Sequence, residues 1–215
     1  MTHQSKDSML PAKLAIAVSG GGRSLANFIA RSQSVSEFQV AAVIASTPNC
    51  RGVSIAREHG IPVFVGDFVK DADVTAHALE EWLLSQNIDW IVLAGFIKRF
   101  PVLKPWQHRL INIHPALLPE FGGKGMYGDR VHAAVLAAGR DVSGATVHFV
   151  NDHYDEGAII AQAVVPVLPS DDTHSLADRV FAAECKLYPE VMRRLINGTL
   201  PLPSGAIERY NHERL

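Results

Sequence analysis

Short apolar runs alternate with stretches of helical spacing through the first half of this chain, and that alternation constrains the fold more than any other feature. Residues 13–19 (KLAIAVS), 38–45 (FQVAAVIA), 61–65, 89–94 (DWIVLA) and 109–113 have the length and apolar content of buried strands. Between them, residues 24–31 carry Leu25, Phe28 and Ile29 at helical spacing, and residues 51–59 form a second helical stretch closed by Gly60. Residues 71–86 place Leu79, Trp82 and Leu83 on one helical face. Repeated strand–helix units of this kind wind into a mainly parallel sheet. The second half changes character: residues 144–150 and 159–167 are β-branched runs separated by the polar segment 151–157 (NDHYDEG). Residues 173–197 read as one long helix ended by Gly198. The expected fold is therefore α/β, a Rossmann-like, mainly parallel twisted sheet flanked by helices, with antiparallel strands in the C-terminal half.

At 215 residues the chain suits one large domain, expected over 13–200, after a polar flexible lead at 1–12. Residues 201–215 are an extension punctuated by proline and glycine, either an edge strand or a tail. With 47% hydrophobic and 20% charged residues the composition is that of a soluble globular protein. A net charge of −2 argues against nucleic acid as a partner. No apolar run approaches the roughly 20 residues that span a bilayer, and no secretory signal is evident. The only cysteines, Cys50 and Cys185, form no metal-type pair. They suit packing roles in a reducing cytoplasm.

Three segments carry candidate chemistry. Residues 112–119 (NIHPALLP) place Asn112 and His114 two apart where an apolar strand meets a proline-bounded turn. Residues i and i+2 of an extended segment project to the same side, so an amide donor and an imidazole can converge on one reacting atom. Pro115 disfavours helix at His114 and holds the segment extended. The loop Ser19-Gly20-Gly21-Gly22-Arg23-Ser24 lies between the first strand and first helix, where backbone N–H groups and the helix N-terminus can cradle an anion. Ser24 is the expected N-cap. The loop lacks the Gly-Lys-Ser/Thr ending of a nucleotide-triphosphate loop and the third glycine of a dinucleotide site, so its alternatives are a phosphate monoester site or a plain β–α turn.

The third segment brings His148, Asp152, His153, Asp155 and Glu156 within nine residues. Metal ligation and a solvated loop are the alternatives here, but no recognised ligand spacing is present and no metal is expected. Asp155 can instead point a carboxylate back toward His114, raising the imidazole pKa and fixing its orientation. The other histidines, His132 among them, read as surface or helix residues without a role.

Taken in order, the strand and SGGGRS loop, LAGF at 93–96, NIHPALLP at 112–119 and GATVHFVNDHYDEG at 144–157 resemble the folate-dependent formyltransferase superfamily. Within it the chain is most similar to the phosphoribosylglycinamide formyltransferases of purine biosynthesis. Methionyl-tRNA formyltransferase is about a domain longer and has no glycine-rich loop at its first strand. Formyltetrahydrofolate deformylase carries an extra N-terminal domain. Residues 183–189 (AECKLYP) resemble the segment whose glutamate contacts glycinamide ribonucleotide, and Glu184 matches it.

The resemblance implies a transferase moving a formyl group from 10-formyltetrahydrofolate, a co-substrate, to the amine of glycinamide ribonucleotide. Asn112 would stabilise the oxyanion, His114 would act as general acid, and Asp155 would support the imidazolium and carry the amine proton through water. Gly22, Arg23, Ser24 and Glu184 would hold the ribonucleotide. Ile97, Lys98, Arg99 and Phe100, with Asn112, Val150, Asn151, Asp152, His153, Tyr154 and Asp155, would surround the folate, with Leu93, Phe100 and Val150 as apolar walls or ordinary core. Two departures stand out: Arg23-Ser24 replaces the usual Ser-Asn, and residues 120–128 (EFGGKGMYG) form either a lid or a flexible connection. Arg23 either adds a phosphate contact or faces water, and Lys70 is a weak candidate for the folate glutamate tail. Two rivals remain, a formyltetrahydrofolate hydrolase and a non-catalytic nucleotide-binding module.

Overall fold

A computed structural model describes residues 10–200 and 208–211. Among these, eight strands form one sheet in the order β3-β2-β1-β4-β5-β6-β7-β8. The elements run β1 (Ala12–Val18), α1 (Arg23–Ser32), β2 (Phe38–Ala45), α2 (Arg51–Glu58), β3 (Val63–Val65), α3 (Ala72–Ser85) and β4 (Trp90–Leu93). They continue through a 3-10 turn (Lys104–Trp106), β5 (Leu110–His114), α4 (Asp129–Ala137), β6 (Val142–Phe149), β7 (Ile159–Pro166), α5 (Thr173–Ile196) and β8 (Glu208–Asn211). Strands β1 to β5 are mutually parallel, whereas β6 runs antiparallel to both β5 and β7. β8 pairs parallel with β7, so part of the C-terminal extension is an edge strand. The first nine residues of the expected lead lie outside the described residues.

Strand periodicity divides the core between the two faces. Leu14, Ile16 and Val18 of β1 pack with Leu25, Phe28, Val53 and the buried face of α5, while Ala15 and Ala17 pack against Leu79 and Leu83 of α3. On β5, Ile111 and Ile113 join the first cluster and Leu110 the second. Asn112 and His114 therefore share the face of Leu110. Helix α5 begins with a capping box, in which Asp172 accepts from the Ser175 N–H while the Ser175 hydroxyl accepts from the Asp172 N–H. From its middle, Tyr188 places its buried hydroxyl 3.1 Å from the carbonyls of both Leu93 and Ile111, tying α5 to the ends of β4 and β5.

The expected elements are present, with two differences. Helix α4 has no counterpart among the expected elements, because its buried positions Val131, His132 and Val135 include a histidine that breaks the apolar stripe. Ser24 is not an N-cap. Gly22 takes that position at φ +70°, and α1 makes no side-chain cap bond. Glycine is required there twice over, since a Cβ on Gly22 would also come within 2.9 Å of Gly52 Cα.

Candidate active site

The carboxyl ends of β1, β4 and β5 meet where the strand order reverses between β1 and β4, the position at which open α/β sheets carry their ligand crevice. A cleft of about 640 Å³ lies there. Its walls include Gly20 to Ser24 after β1, Gly95 to Phe100 after β4, Asn112 and His114 on β5, Val150 to Asp155 after β6, and Glu184 on α5. Lys70 apart, every residue assigned above to catalysis, ribonucleotide or folate contacts thus lies on one cavity. Leu93, Phe100 and Val150 line it too, so wall and core are the same residues. Lys70 is not on it; its N–H bonds instead to Asp67.

At the centre, His114 Nδ1 lies 3.4 Å from Asp155 Oδ2, with side chains only 4% and 11% exposed. Asn112 lines the same cavity, and Asp155 is brought to His114 through two devices the chain hides. Asp155 adopts φ +59°, a left-handed conformation that Asp tolerates better than most residues. The return of its loop depends on Gly157, where a Cβ would sit 1.6 Å from the Phe149 carbonyl oxygen. Behind the turn after β5, the Thr146 hydroxyl donates to Ala116 O and accepts from Leu118 N–H, while Gln162 Nε2 donates to Leu118 O. The turn contains a cis Leu118–Pro119 bond.

His148 belongs to this centre, although the sequence marks it only as a neighbour of the acidic loop and not as a partner of Asn112. It is paired in register with Asn112 across β5 and β6. Its Nε2 lies 3.0 Å from Asn112 Nδ2 and 3.6 Å from Asp155 Oδ1, and its Nδ1 is 2.8 Å from Phe149 O. Only the antiparallel register shows this, because the two residues are 36 apart in the chain.

Electrostatics correct one expectation. Burial lowers the His114 pKa, and although Asp155 and the Phe121 carbonyl pull it upward, burial prevails. Burial alone would raise Asp155, yet His148, His114 and the Gly123 N–H together hold its carboxyl below the ordinary range. Withdrawal from water raises the Glu184 carboxyl to about 7, opposed by Arg23.

Residues 121–123 rest on His114 and Asp155. His114 Nε2 is 2.8 Å from Phe121 O, and Gly123 N–H donates to Asp155 Oδ2 at 2.9 Å. Residues 123–128 line the cleft, so this glycine-rich segment forms part of its wall. At the opposite end, Arg23 does not simply face water: its guanidinium stacks 3.8 Å above the Phe181 ring and lies 3.2 Å from Asp178. Arg99 reaches the Asp152 carbonyl at 3.1 Å, bridging the loops after β4 and β6. Among the described residues no group of three His, Cys, Asp or Glu side chains is placed to hold a metal ion.

A sheet with its crevice at the carboxyl ends, an Asn-x-His strand and a returning aspartate define a formyl transferase, and residues 12–192 match that family, to which the chain belongs. The chain is 42% identical over 188 residues to the chloroplastic phosphoribosylglycinamide formyltransferase of Vigna unguiculata, covering 85% of this chain and 60% of that protein. It is also 42% identical over 189 residues to the Arabidopsis thaliana enzyme of the same name, covering 84% and 64%. It thus spans under two thirds of the length of these curated relatives. A solved glycinamide ribonucleotide transformylase 1 from Symbiobacterium toebii superposes with a TM-score of 0.80 at 33% identity, covering 94% of each chain.

Proposed function

We propose that this protein transfers the formyl group of 10-formyltetrahydrofolate to the amine of 5'-phosphoribosylglycinamide, giving the N-formyl product and tetrahydrofolate in purine biosynthesis. One observation carries the reading: a centre of amide, imidazole and carboxylate, Asn112, His114 and Asp155, opens onto the same cleft as the glycine loop and Glu184. A hydrolase would need only water beside the formyl group, whereas this cleft extends to an anion-binding corner and a carboxylate suited to ribose hydroxyls. The names of the relatives point the same way.

In this reading the ribonucleotide phosphate lies against the backbone of Gly20 to Ser24 at the start of α1. The folate ring lies between residues 97–100 and the loop after β6, with Phe100 and Val150 as its apolar walls. The uncharged amine attacks the formyl carbon, and negative charge develops on the formyl oxygen. Asn112 donates an amide N–H to it, and His114 supplies a second N–H and then protonates the departing folate nitrogen. Because the Phe121 carbonyl occupies His114 Nε2, co-substrate binding exchanges that contact for one to the reacting group. Asp155, beside Nδ1, orients the ring and stabilises its charged form. The reaction needs no metal, since the folate arrives carrying the formyl group. The cytoplasmic placement belongs to the same proposal; among the described residues no helix is long and apolar enough to cross a membrane.

The test is turnover of 10-formyltetrahydrofolate with and without the ribonucleotide. Formyl loss dependent on the amine is expected; loss that ignores it favours the hydrolase, and no turnover favours a binding module. Asn112→Ala and Asp155→Ala should each cost roughly a hundred- to thousandfold in kcat while the fold is retained. Near-normal rates in both variants would remove the proposed site.

A further inference from the structure

Ser19, the residue that follows β1, makes no substrate contact in the reading above and is not on the cleft wall, yet it is bonded to both of the loops that hold substrate. Its N–H donates to the Gly95 carbonyl at 3.1 Å. Its Oγ accepts from the Ile97 N–H at 3.1 Å and from the Ser46 hydroxyl, just past β2, at 2.8 Å. Those two bonds use both lone pairs of the hydroxyl oxygen. Ser46 thus fixes where Ser19 Oγ points, and Ile97 is what it holds.

Its neighbours on either side give this bonding its meaning. The glycine loop, read above as the ribonucleotide corner, begins one residue further along the chain, and residues 95–100 form one side of the folate corner. Strands β1 and β4 pair in parallel as far as Ala17 and Leu93, and the Ala94 N–H still donates to Ala17 O. Beyond that point the Ser19 bonds carry the pairing out of the sheet and into the two loops. Each loop also has an anchor of its own: Gly20 O accepts from the Gly52 N–H at 3.2 Å, and Phe96 packs edge-on against Phe68 and Phe100. Ser19 joins the one to the other.

Resting on the formyl-transfer reading, we propose that Ser19 is a positioning residue that sets the spacing between the bound ribonucleotide and the bound folate. Transfer needs the amine of one substrate within bonding reach of the formyl carbon of the other. Each substrate is held in its own corner, so their approach follows the spacing of the corners. A displacement of about 1 Å between reacting atoms can cost on the order of a hundredfold in rate. Removing the hydroxyl leaves each corner its own anchor, so either substrate alone should still bind while transfer slows. Ile97 is 44% exposed, so water can take the place of Oγ at its N–H, and the stability of the fold should change little.

Wild-type protein, Ser19→Ala, Ser19→Thr and Ser46→Ala are compared as full chains, with folding checked by circular dichroism and thermal melting. Ser19→Ala should lose roughly ten- to a hundredfold in kcat, while calorimetric Kd values for 5'-phosphoribosylglycinamide alone and for 10-formyltetrahydrofolate alone change by less than about threefold. Ser19→Thr keeps the hydroxyl and should stay within about threefold of the wild-type kcat, as should Ser46→Ala, which leaves the Ile97 bond in place. Where Ser19→Ala does not fold, Ser19→Cys, with a weak sulfur acceptor at the same position, carries the same expectation. A folded Ser19→Ala at the wild-type rate overturns the inference while leaving formyl transfer intact. So does a loss of rate matched by an equal loss of affinity for either substrate, or one that Ser19→Thr or Ser46→Ala shares in full. Absence of transfer by the wild type overturns the formyl-transfer reading, and this inference with it.

Discussion

The Asn112 amide nitrogen lies 3.0 Å from Nε2 of His148, its cross-strand neighbour. His148 Nδ1 faces the Phe149 carbonyl and donates to it, so the neutral ring offers Nε2 as acceptor to Asn112, and only the charged ring presents an Nε2–H toward Asp155. One amide N–H is thereby committed, and the other is left to point into the cleft. His148 thus fixes which way the Asn112 amide faces. Its replacement by Leu should cut kcat roughly ten- to hundredfold, about 1.4 to 2.7 kcal/mol of barrier, with KM little changed. Steady-state kinetics on the folded variant check this; an unchanged kcat would show that Asn112 needs no such anchor.

Acid should destabilise the fold earlier than its carboxylates alone require. Burial lowers the pKa of both His114 and His132 in the folded chain, so below their unfolded value of about 6.5 the unfolded state binds more protons. Their contribution is complete above that value and is lost as pH falls through the folded pKa values. Thermal midpoints should therefore fall between pH 7.5 and 5.5, and His132→Gln should flatten the decline. A midpoint constant over that window in the wild type would contradict the buried neutral rings.

Gly157→Ala should be among the most damaging single-methyl changes in the chain. The new Cβ would meet the Phe149 carbonyl at 1.6 Å, forcing apart the strand ends that return Asp155 to His114. A loss of at least about 3 kcal/mol is expected from such overpacking, together with loss of activity. Denaturant unfolding measures it, and a midpoint near wild type would mean that the loop can reroute.

Arg23→Ala should act on binding rather than chemistry. The guanidinium is held at the anion-binding end of the cleft by Phe181 and Asp178, far from any role in bond breaking. KM for the ribonucleotide should rise roughly tenfold with kcat within about twofold, and the penalty should shrink at high salt. A pure kcat effect would place Arg23 elsewhere in the mechanism.

Local pattern carried much of this molecule. The alternation of short apolar runs with helical faces located the parallel half, and the i, i+2 spacing put Asn112 and His114 on one face, as Leu110 confirms from the same side of β5. The glycines and Asp155 were marked by residue type. Helix α4 escaped because its inner face holds His132, a polar residue whose burial no periodicity announces.

The residue order by itself determined the element types, the order of the motifs and the two-faced core, because these follow from side-chain period and backbone preference over a few residues at a time. Tertiary structure alone decided that His148 anchors Asn112, that His132 turns inward, and that burial outweighs Asp155 in setting the His114 pKa. Register and desolvation depend on segments far apart in the chain, and neither exists until the sheet has closed around them.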